Sequence, residues 1–156
     1  MSSLPVRRYT PEEYLELERK AEFKSEYIDG EIFPIGGGIL GMAGADEAHN
    51  LIVTNAVREL SLQLKGRPCR TYPSDMKVEP VPGGQFVYPD VTVVCGEPRF
   101  HDERRDMLKN PTVIIEVLSP STEAYDRGAK FARYRQMNSL TNYLLISLLN
   151  SGSNNT

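Results

Sequence analysis

The stretch TVIIEVLSPST, Thr112 to Thr122, is the most apolar and most β-branched run in the chain, and one carboxylate, Glu116, stands at its centre. Such a run, closed by a polar Ser-Pro-Ser-Thr segment, predicts a buried strand followed by a turn and a helix cap. Side chains alternate along a strand, so Glu116 shares a face with Ile114 and Leu118 while Val113, Ile115 and Val117 point the other way. Both faces are apolar. An ionised carboxylate taken from water into such surroundings costs several kcal/mol unless a cation or a set of donors compensates. The sequence therefore predicts a positive partner for Glu116. A structural ion pair, or a strand end close to solvent, satisfies that demand without any function.

Upstream, VYPDVTVVC carries a second acid, Asp90, at the head of another strand-like run, with Pro89 setting the strand start. Two carboxylates on adjacent strands can converge on a hard divalent cation, which prefers oxygen ligands and keeps several waters. Downstream, Ser121 or Thr122 caps a helix over roughly Glu123 to Met137, and Asp126, Lys130 and Tyr134 fall on one stripe of it. Lys130 is thereby a candidate visitor to the same site. On spacing alone it is equally an exposed partner of Asp126, worth a few tenths of a kcal/mol. Tyr134 is placed either to orient Lys130 or only to pack, and packing is the plainer reading.

Working outward, Thr10 with Pro11, Glu12 and Glu13 starts a helix that runs to about Ala21. In EYIDGEIFPI, Asp29-Gly30 between two apolar segments predicts a tight hairpin. The glycine stretch Gly36 to Gly44 reads as a loop, wrongly spaced for a phosphate-cradling motif. From Asp46 to about Leu64, apolar residues recur at helical spacing. CRTY, MKVEPV, QFVYP and DVTVVC follow as strands, then a polar segment rich in Arg and Asp, and NYLLISLL makes a last strand. The order predicts one α/β (α+β) domain over 1–156, a mixed central sheet flanked by helices, ordered from about 9 to 147 and ending in a disordered tail, 150–156.

The chain has 156 residues and a formal net charge of −3, which excludes a disordered, collagen-like or strongly basic nucleic-acid-binding composition. It shows no secretory signal pattern and no apolar run near the ~20 residues of a membrane span, so a cytoplasmic protein without membrane contact is expected. Cys69 and Cys95 lack CxxC spacing and do not build a zinc site by themselves. Cys95, at the end of VTVVC, reads as a buried thiol.

Taken together, EYIDGEI, His49 early in a helix, YPDVTVV, IIEVLSPST and DRGAKFARYRQ resemble the Uma family of restriction-endonuclease-like proteins, within the PD-(D/E)xK nuclease superfamily. The resemblance spans about Tyr9 to Ser147. It implies a restriction-endonuclease-like core and Mg²⁺- or Mn²⁺-dependent cleavage of DNA phosphodiesters. Asp90 and Glu116, with the backbone carbonyl of Val117, would be the metal ligands. Lys130 would stand in for the lysine that the superfamily places two residues after the acid, where this chain has Leu118. His49 and Glu31 belong to the family's motifs and are carried as further catalytic candidates; a core-edge histidine and a solvated strand glutamate are the plainer readings. After NYLLIS, relatives continue with strand-forming residues whereas this chain turns into LLNSGSNNT, which would weaken folding, expose a sheet edge or alter a dimer interface. A homodimer suits cleavage of both strands of a duplex. The competing class is an inactive nuclease-like domain that binds nucleic acid or protein.

Overall fold

The computed structural model describes residues 7–35, 47–118, 128 and 130–147. Helix α1 (Pro11–Lys20) opens on a complete capping box: Thr10 Oγ1 accepts the Glu13 N–H at 3.1 Å, and Glu13 Oε1 accepts the Thr10 N–H at 2.9 Å. Strands β1 (Ser25–Ile28) and β2 (Glu31–Pro34) form the expected hairpin. Asp29 and Gly30 turn it with φ of 50° and 91°, the left-handed values a two-residue turn of this kind requires. Helix α2 (Glu47–Gln63) follows, then β3 (Cys69–Tyr72), β4 (Lys77–Val81), β5 (Gln85–Val87), β6 (Val91–Cys95), β7 (Met107–Leu108) and β8 (Val113–Leu118). A short helix, α3 (Phe131–Tyr134), and β9 (Asn142–Ser147) complete the described elements.

The architecture is α+β with mixed sheets. Its strands divide between a five-stranded sheet, β2-β1-β5-β4-β7, and a four-stranded sheet, β3-β6-β8-β9. Pairing is antiparallel except between β4 and β7 and between β8 and β9. One core lies between the sheets, where Val78, Val87 and Leu108 meet Val94, Ile114 and Tyr134. A second lies under α1, where Tyr14 and Leu15 pack with Tyr27, Phe86 and Met107. Helix α2 lies against β3, β6 and β8. Val91, Val93, Ile115 and Val117, which alternate with the core-facing residues of β6 and β8, are buried as well. Strands covered on both faces need continuous apolar runs, which is why VTVV and VIIEVL lack polar alternation.

Two expectations need correction. Strand β7 was not foreseen, because Met107 and Leu108 are an isolated apolar pair inside a polar segment. That segment is tied down by α1, whose Arg19 pairs with Asp102 at 3.0 Å and Asp106 at 2.9 Å. Cys95 is not a buried thiol. It is exposed and bonded to Cys69, directly opposite it in the β3–β6 register with the two Cα atoms 4.0 Å apart. Its strand ends at the Gly96 turn, so the last side chain leaves the core, and the strand pairing that supplies its partner was not legible from spacing. The glycine loop, the cap and start of the second long helix including Asp126, and the tail all lie outside the described residues.

The bond closes a loop with a sequence separation of 26. A Cys95→Ser variant is expected to lose about 3 kcal/mol of stability in oxidising buffer, from the loop-closure entropy returned to the unfolded chain. Urea unfolding with and without a thiol reductant checks it: the difference should vanish when wild type is reduced.

Candidate functional site

Strands β6 and β8 run antiparallel with Val91 opposite Ile115 and Thr92 opposite Ile114. Continuing that register by one residue sets Asp90 across from Glu116, and opposed residues of an antiparallel pair project on the same side. The two acids therefore meet although they lie far apart in the chain. Asp90 Oδ2 accepts the Val117 N–H at 2.7 Å, which anchors the aspartate to the strand that carries the glutamate. His49, in the first turn of α2, brings Nε2 to 3.4 Å from the same oxygen.

Glu116 is 3% exposed, and the positive partner its burial demands is present. Lys130 Nζ donates to Oε2 at 3.3 Å, and the Tyr134 hydroxyl donates to Oε1 at 3.3 Å. Tyr134 thus does more than pack: it fills the inter-sheet core and holds a carboxylate with its polar end. Burial pushes the Glu116 carboxyl up to about 8; Lys130 opposes the shift, and the charges of Asp90 and Glu26 add to it. Burial also raises the Tyr134 hydroxyl well above its ordinary value, reinforced by Glu116, so it remains a donor.

The five-stranded sheet contributes a residue that the sequence reading missed. Glu26, on β1, accepts the Tyr88 N–H at 3.0 Å, just ahead of Pro89-Asp90. Its charge reaches both Glu116 and Tyr134. The available signal was its place in EYIDGEI, on the opposite face of β1 from the buried Tyr27. Glu31 sits opposite Ile28 beside the hairpin turn. Among the described residues, no hydrogen bond or ion pair joins it to Asp90, Glu116 or Lys130. Thr92, next but one to Asp90 on the same face, is fully buried, and among the described residues its Oγ1 has no hydrogen-bond partner.

Asp90 and Glu116 offer hard oxygen donors, and a cation beside them would offset the burial and the mutual repulsion that disfavour the Glu116 charge. The residues fit such an ion. Among the described residues no group of three or more His, Cys, Asp or Glu is placed to hold a metal ion, so the donors here are the two acids. A cation here would need water or substrate oxygens as well, the habit of Mg²⁺.

Residues 11–151 match the family described as "Uma2: Putative restriction endonuclease", and the chain belongs to that family. It is similar to two uncharacterized proteins of Synechocystis sp. With sll1609 it shares 40% identity over 137 residues, which cover 88% of this chain and 73% of the relative. With slr1290 it shares 38% over 145 residues, covering 93% of this chain and 72% of the relative. The mixed sheets and flanking helices are consistent with a restriction-endonuclease-like fold. Among the described residues no helix is long and apolar enough to cross a membrane.

The raised Glu116 pKa fixes the sign of a stability effect. Between the ordinary carboxyl value and about 8 the native state holds a proton that the unfolded chain has released. Stability should therefore fall as pH rises from about 4.5 to 8 and level off above that. Urea midpoints measured across this range in EDTA should show the decline for wild type and lose that component in Glu116→Gln.

Proposed function

We propose that this chain is a Mg²⁺-dependent endonuclease, also served by Mn²⁺, that hydrolyses DNA phosphodiesters at Asp90, Glu116 and Lys130. The observation that supports this reading best is the buried Glu116 carboxylate, placed across from Asp90 and contacted by Lys130. Asp90, Glu116 and the Val117 carbonyl would hold the metal, which supplies a Lewis acid and lowers the pKa of water.

The chain's own residues do the rest. The Val117 N–H and His49 hold Asp90 in place from two sides. Tyr134 keeps Glu116 oriented from within the core. Lys130, with its side chain 16% exposed, stands between the buried acid and solvent. There its ammonium orients the attacking water and offsets negative charge growing on the phosphoryl oxygens. In-line attack on phosphorus breaks the bond to the 3′ oxygen and leaves a 3′ hydroxyl and a 5′ phosphate. His49 is a positioning residue in this scheme, and Glu31 stays a further catalytic candidate on the family's motif alone. The reading includes a cytoplasmic homodimer, since a two-fold axis gives each strand of a duplex its own site.

Plasmid nicking with Mg²⁺ or Mn²⁺ tests the assignment. Asp90→Asn, Glu116→Gln and Lys130→Ala should each cut about 100-fold more slowly, the scale of losing a transition-state contact. Equal cleavage by wild type and a Glu116→Ala, Lys130→Ala double variant would overturn it. Calorimetric titration with Mn²⁺ separates the competing binding-module reading: the nuclease requires that Asp90→Asn lose metal affinity.

A further inference from the structure

Away from the acids, an open cavity of about 580 Å³ lies between the segment after α3 and the strand-like pairing around Phe100 and Leu108. Arg99, Phe100, Lys109, Gln136, Asn138 and Ser139 line it, together with Glu79. Phe100 bridges Leu108 in antiparallel register, flanked by His101 N–H donating to Met107 O at 2.9 Å and Lys109 N–H donating to Arg99 O at 2.8 Å. That register sets Arg99 directly opposite Lys109. Like charges directly opposed across a strand pair are destabilising unless something negative sits with them.

The surrounding structure makes the demand sharper. Asn110 locks the pair, its Oδ1 accepting the Arg99 N–H at 2.7 Å and its Nδ2 donating to Glu97 O at 3.0 Å. A third cation, the Arg105 guanidinium, lies 4.4 Å from the centre of the Phe100 ring. Three acids of the same region, Asp102, Asp106 and Glu79, are committed elsewhere. Asp102 and Asp106 engage Arg19 of α1. Glu79 is buried, accepting the Gly83 N–H at 2.8 Å and facing His101 Nδ1 at 3.2 Å. Glu97 and Glu103 are exposed. Among the described residues, no ion pair uses Arg99, Arg105 or Lys109.

We propose that this cavity binds a phosphate group through Arg99 and Lys109, with the Asn138 amide as a further donor. A guanidinium fork beside an ammonium suits a phosphate carrying one or two charges. The volume leaves room for whatever the phosphate is esterified to. The cavity is distinct from the acid site: Ser139 Oγ reaches Pro111 O at the N-terminal end of β8, and Glu116 lies four residues beyond Thr112, about 13 Å along the strand. The proposal stands whether or not the acid site cuts DNA.

Calorimetric titration of the full chain in EDTA with inorganic phosphate, adenosine monophosphate and a short DNA duplex tests it. Binding of at least one probe is expected, weakened tenfold or more in an Arg99→Gln, Lys109→Gln double variant. Asn138→Asp, which adds repulsion without touching the cations, should weaken it too. Preference for the duplex, with a salt slope reduced by about two in the double variant, identifies a nucleic-acid backbone as the source. Preference for either small probe identifies a free phosphate or nucleotide. Failure of all three probes to bind, or equal binding by a double variant whose circular dichroism matches wild type, overturns the proposal.

Discussion

A carboxylate buried against a second carboxylate is the constraint around which this fold is arranged. Glu116 sits in a strand covered on both faces and is 3% exposed, and register sets Asp90 across from it. Burial outweighs the attraction of Lys130, and the pair of acids is tolerable only because a proton, an ammonium and a phenol share the load. Replacing the two acids with apolar residues would remove that burden, as buried ionic groups are weak devices for stability. Their juxtaposition, with Glu116 buried and Asp90 beside it, is what gives a functional reading its force.

The rest of the structure can be read as support for that juxtaposition. Pro89, which has no N–H to give a ladder, stands just ahead of β6, and the Asp90 side chain that follows it accepts from Val117. Tyr88, immediately before it, is fixed from two sides: its N–H donates to Glu26 on β1 and its hydroxyl to Glu18 on α1. The hairpin and first helix thus restrain the backbone leading into Asp90, while α2 delivers His49 from the other direction. Residues from both sheets and from α1 and α2 converge on the entry to a single strand, β6.

What the sequence disclosed follows from which forces are local. The capping box at Thr10, the Asp29-Gly30 turn and the helical spacing from Ile52 to Leu60 are decided within a few residues, and each forms where expected. The Glu116 anomaly was legible for the same reason, because neighbours along the chain alone make its burial costly. Glu26 was not, since its relevance depends on β1 meeting Tyr88 through a sheet that no local pattern specifies. Cys95 failed similarly: VTVVC reads as a core strand, but whether its last side chain faces the core or a partner thiol depends on β3. Strand β7 is only two residues long and owes its place to Arg19, which neutralises two aspartates far along the chain.

Strand β8 separates two opposite electrostatic demands. Near its C-terminal half the environment holds excess negative charge, Glu116 with Asp90 and Glu26, inside a low-dielectric core where only a proton or a cation relieves it. Past its N-terminal end, Arg99, Arg105 and Lys109 gather around Phe100 at the surface, where water screens them and an anion would relieve them. Burial makes the first demand strong and selective for a compact ion. Exposure makes the second weaker, salt-dependent and tolerant of a larger ligand. A chain of net charge −3 reaches this division without a basic composition, because Asp102, Asp106 and Glu79 are each bound to partners within the fold and leave the cations of one segment to face the solvent.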